Sequence, residues 1–180
     1  MRENMKWIMV IVVVALACGA ALFFNSVISA EEMMTVDPDD LFMKYTDNED
    51  SFVLFPGTME MQEGNSPHGA VVTILVNDVA LASIEAENDV FDYGSHIVKK
   101  NYTPDGELAA YTDMIKIEGY DPMQDDWYWV KYDADGEVST AEDGTPLAGE
   151  TFKVMAEEKE SGCISCHSAV SDTDWVFSSF

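Results

Sequence analysis

Beyond residue 30 the chain has no arginine: its nine basic side chains are Arg2, Lys6 and seven lysines further on. Without guanidinium groups the domain has no planar, two-toothed grip on phosphate or carboxylate. Histidine and cysteine are also scarce, limited to His68, His96 and His167, and to Cys18, Cys163 and Cys166. Once the N-terminal hydrophobic run that holds Cys18 is set aside, no cysteine remains to pair with Cys163 or Cys166 except each other. A zinc site needs about four ligands, and only His68 and His96 are left as further soft donors. Linkers and repeats are absent as well, so residues 31–180 are expected to form one domain with a core of its own.

What the chain has in excess is acid. Setting aside Glu3, Arg2 and Lys6 leaves 33 acidic and seven basic side chains, a formal charge of −26. A surface of that sign repels nucleic acid and anionic lipid, and nucleic-acid binding is excluded. The charge serves either solubility in a salty medium or the docking of a basic redox partner. Its spread along the whole chain favours the first.

At the N-terminus, Arg2 and Lys6 precede an apolar run from Trp7 to Phe24, and Ser29-Ala30 stands directly before Glu31-Glu32. This is the pattern of an export segment, residues 1–30, with cleavage expected after Ala30. The run also approaches the roughly 20 residues that span a bilayer, so an uncleaved anchor in the cytoplasmic membrane is the alternative. Either outcome places the domain in the periplasm or outside the cell.

Periodicity predicts an α+β domain, a mainly antiparallel sheet with flanking helices and a C-terminal cofactor-attachment segment. Residues 31–67 read as a short helix and loops wrapping a core, anchored by Phe42, Tyr45, Phe52 and Phe55. Ala70–Val76 is a β-branched run that ends at Asn77, which can cap a helix through Ala86. Ser95–Tyr102 and Leu108–Ile117 flank a Thr-Pro-Asp-Gly-Glu turn, a hairpin signature, and Trp127–Tyr132 alternates as a fourth strand. Residues 151–160 have helical character and deliver the chain to Cys163. The tail from Asp172 to Phe177 can fold back on what is bound there.

The strongest chemical signal is Cys163-Ile164-Ser165-Cys166-His167. Two thiols separated by two residues can each add to a haem vinyl group, and the following histidine is placed to coordinate the iron. The spacing predicts one covalently attached haem c, with His167 as proximal iron ligand. Export agrees with it, since bacterial c-type attachment takes place outside the cytoplasmic membrane.

Several pieces then share one order and spacing: Pro67-His68-Gly69 before a β-run, Gly94 followed by Val98-Lys99, Met114 with Lys116 and Gly119-Tyr120-Asp121, Asp126-Trp127 with Trp129, and Asp174–Phe177 behind the haem motif. Together they resemble the cytochrome P-460 family over most of residues 31–180. The resemblance implies a mono-haem cytochrome on a mainly antiparallel β fold, commonly a homodimer. It further implies oxidation of hydroxylamine or a related small nitrogen compound, with electrons passed to a partner cytochrome, or binding of nitric oxide without turnover. Simple electron transfer is a third reading and would require a strong protein ligand on both axial sides.

Lys99 matches the lysine that cross-links the haem in hydroxylamine-oxidising members, and is expected to line the haem as cross-link or distal residue. Strand alternation puts Ser95, Ile97 and Lys99 on one face and His96, Val98 and Lys100 on the other. With Lys99 inward, His96 is expected at solvent or an interface. Those members carry an arginine on the preceding strand and a glutamate after the lysine, where this chain has Val71-Val72-Thr73 and Lys100. Asp113 and Glu118 are expected to be solvated surface acids. Met114 is expected to be core, with reach to the iron as its alternative, and His68 to make a structural hydrogen bond in its turn, with a sixth iron ligand as its alternative.

Overall fold

The computed structural model describes residues 35–65, 67–152 and 162–177. The expected export segment and the expected helix from 153 onward lie outside them. Asp37 caps the first helix, α1 (Pro38–Thr46), by accepting from the Asp39 amide, and proline occupies the first turn, where a missing N–H costs nothing. Two short strands follow, β1 (Val53–Leu54) and β2 (Gln62–Glu63). Both pair antiparallel with β3 (Val71–Val76), the predicted β-branched run. Asn77 then caps α2 (Asp78–Glu85), accepting from the Ala80 amide as its position before the helix predicts.

β4 (His96–Tyr102), β5 (Leu108–Lys116) and β6 (Trp127–Asp133) complete a six-stranded antiparallel sheet in the order β1-β3-β4-β5-β6, with β2 also on β3. The β4–β5 turn closes through the Thr103 amide on the Glu107 carbonyl at 2.8 Å, with Gly106 at φ +84°. That backbone region favours glycine. Past the sheet, α3 (Gly162–His167) carries the cysteine–histidine motif, and a 3₁₀ turn over Ser168–Thr173 reverses the chain.

Both faces of the sheet are covered. On one lie Val72, Ile74, Val76, Ile97, Met114, Trp127 and Trp129, packed against Phe55, Ile164, Trp175 and Val176. On the other, Ile115, Tyr128, Val130 and Tyr132 pack beneath Leu41 and Phe42 of α1. The α+β expectation holds, Met114 is core as expected, and Glu118 is exposed.

Two expectations fail on the α1 face. His96 is 7% exposed and Asp113 2%, where a solvent or interface histidine and a surface acid were expected. The His96 Nε2 donates to Asp113 Oδ2 at 3.1 Å, with the Tyr45 and Phe52 rings edge-on to the imidazole. Burial pushes the Asp113 carboxyl upward, against the bond from His96. Alternation set His96 on the face opposite Lys99, but that face is dry because the segment from Pro38 to Phe52 lies over it.

Candidate haem site

His167 ends α3 with its ring buried. Its Nδ1 lies 2.7 Å from the Trp175 carbonyl oxygen, and a carbonyl only accepts, so Nδ1 carries the proton. Nε2 is therefore left with its lone pair, the tautomer a metal-ligating histidine needs. Burial first, then the charge of Lys99, pull the imidazole down to about 4, which keeps it neutral and available near pH 7. The Trp129 and Phe177 rings flank it at 4.7 and 5.0 Å. Phe177 thus brings the tail back onto the motif, as its composition suggested.

A buried ion pair holds that tail. Lys116 Nζ donates to both carboxylate oxygens of Asp174, which also accept from the Phe91 amide at 2.7 Å and the Trp127 indole at 3.3 Å. Asp174 and Trp175 both take left-handed backbone, at φ +53° and +65°. Such geometry persists only where the surroundings enforce it. The bend turns the Trp175 carbonyl toward His167, while the Trp175 indole donates to Asp125 Oδ2 at 2.9 Å. None of these partners of Asp174 was foreseen, because the lysine and carboxylate lie 58 residues apart.

Lys99 shares a buried cavity with His167, Cys163, His68 and Met114. It is half-buried, and burial lowers its ammonium to about 8 against the pull of the two cysteines. Cys163 and Cys166 are not joined to each other in a disulfide, and burial pushes the Cys163 thiol up to about 11. His68, expected to brace its turn with axial ligation as the alternative, lines this cavity and two adjoining ones of ≈ 230 and ≈ 410 Å³. Its ring centre is 6.5 Å from that of His167. Burial, with Lys99 and His167 nearby, lowers it to about 3.

The residues fit a haem. The Trp129 indole N–H is buried with no protein acceptor, on the cavity face, where a haem carboxylate can accept from it. Among the described residues no three His, Cys, Asp or Glu side chains gather at metal-ligand spacing. The motif cysteines stand at the cavity walls to hold the porphyrin, and His167 offers an axial nitrogen. The sequence could have flagged Trp129 only as packing, since an orphan donor is visible only once its surroundings are known.

A family model described as Cytochrome P460 matches residues 56–178. No curated protein matches the chain.

Proposed function

The chain belongs to the cytochrome P460 family, a family of haem proteins, and from that premise we propose an exported mono-haem cytochrome that oxidises hydroxylamine or a related small nitrogen compound. In this reading Cys163 and Cys166 carry one haem c through thioether bonds and His167 is the proximal ligand. The substrate enters beside Lys99, and the electrons pass to a partner cytochrome. A homodimer follows the family habit, and the periplasm follows from the N-terminal segment.

The observation that carries the reading is the convergence of Lys99, His167 and Cys163 on one buried cavity. The haem supplies the redox and small-ligand chemistry there. The chain's own contributions are distinct. Trp175 fixes the His167 tautomer, and Lys99 brings an amine of lowered basicity to the cavity wall. Ile74, Ile97, Met114 and Phe177 keep the space apolar.

One observation favours a second reading, nitric oxide binding without turnover. Oxidising hydroxylamine releases protons and calls for a base near the bound substrate. Among the described residues, the carboxylate residue on the wall of the cavity that Lys99 shares with His167 is Asp113, and its side chain is turned to the opposite face toward His96. Glu63 lines the adjoining cavity that Lys99 shares with His68. Hydroxylamine-dependent reduction of a dye acceptor by the haem-loaded protein separates the two. Turnover is expected for the first reading, and nitric oxide binding with no dye reduction would replace it with the second.

A further inference from the structure

His68 is unused by the reading above, yet it lies opposite the one residue that reading depends on most. The rings of His68 and His167 have centres 6.5 Å apart and planes at 87°. Two imidazoles that ligate one metal from opposite sides have centres about 6 Å apart. The metal–nitrogen bond is about 2 Å, and the nitrogen lies roughly 1 Å from its ring centre. Two cavities have both rings on their walls, so open space adjoins both.

His68 is also held as a ligand would be held. Its amide donates to the Asn65 carbonyl at 2.9 Å, and the next amide, of Gly69, donates to Asn101 Oδ1 at 3.2 Å. A Cβ at Gly69 would come within 2.8 Å of the Tyr102 backbone, so only glycine lets the loop press this closely on β4. The Asn101 side chain that holds Gly69 is itself fixed by the Lys99 and Ala110 carbonyls and the Thr112 hydroxyl. The backbone on both sides of His68 is thereby pinned against β4, which fixes where its ring can reach.

We propose that His68 is the second axial ligand of the haem iron, bound on the side opposite His167 in the resting protein and displaced when a small ligand enters. The inference rests on haem attachment at Cys163 and Cys166. His68 then acts as a built-in competitor that a small molecule must outbind. This sets a threshold on affinity and keeps the iron from reacting with water while the cavity is empty.

The test uses the haem-loaded ferric protein, with intact mass confirming haem in each sample. Electron paramagnetic resonance should show a low-spin, strongly anisotropic signal, as nearly perpendicular imidazoles require. Near-infrared magnetic circular dichroism should report two imidazole nitrogens. His68→Ala should lose both signatures and become high-spin, and added imidazole should restore the low-spin signal. A high-spin wild-type protein would overturn the proposal, as would a low-spin signal that survives His68→Ala or an infrared band typical of amine or thioether ligation. The wild-type spectra decide the matter even if the variant does not fold. Wild-type protein lacking haem mass would overturn the haem reading itself, a failure distinct from a haem-loaded, high-spin protein.

Discussion

Lys99 sits where a free cation is costly. Its ammonium is lowered from 10.5 to about 8 by burial, so the folded protein favours the neutral amine more than the unfolded chain does. A base with a lowered folded value weakens folding below about 8, and the penalty fades as pH rises toward 10.5. If the amine is free, Lys99→Met should stabilise the protein at pH 7 by at most about 3 kcal/mol, and the gain should vanish near pH 10.5. If Lys99 is bonded to the haem, that titration is absent. Urea unfolding across pH then shows no such trend, and Lys99→Met instead removes a red shift of the ferrous Soret band. That Lys99 and His96 face opposite sides was legible because strand alternation has a period of two residues, and the resemblance implied that Lys99 is the one facing inward. The burial of His96 beside it was not, since the cover comes from Tyr45 and Phe52, more than forty residues earlier.

At the scale of elements, β5 and the segment after α3 depend on each other through Lys116 and Asp174. The pair is 3% and 1% exposed at its side chains. Removing one member of a buried pair leaves an uncompensated charge and costs about 3–5 kcal/mol. Asp174→Ala should lose that much in urea unfolding of the haem-loaded protein. It should also disturb the His167 environment, because the bend at Asp174 and Trp175 directs the carbonyl that fixes the imidazole. Lys116→Met combined with Asp174→Asn, which keeps an acceptor for the Phe91 amide and tolerates left-handed backbone, should recover part of the stability, and an Asp174→Ala variant as stable as wild type would contradict the account. The strands and their hairpin were legible from local pattern: β3, β4, β5 and β6 fall within a residue or so of where alternation and turn residues put them. The contacts that aim the site were not, because Lys116–Asp174 and His68–His167 join positions far apart in sequence that no local period relates.

For the molecule as a whole, the sheet divides two kinds of interior. One face is closed by α1 and buries the His96–Asp113 pair; the other opens into the cavities around His167, Lys99 and His68. A heavily acidic exterior surrounds both, consistent with solubility in salt and repulsive to other polyanions. Composition alone made that exterior legible, and the cysteine spacing pointed to the haem that the family implies. The face that His167 joins became clear only from Trp129, Phe177 and the Trp175 carbonyl around it. The central claim is that one haem is bonded to Cys163 and Cys166 above His167. Intact mass after denaturation, measured on protein exported from a host that matures c-type haem, tests it most directly. The account predicts the polypeptide plus one haem, with the addition lost when both cysteines are replaced by alanine. A colourless protein with the mass of its polypeptide alone would contradict it.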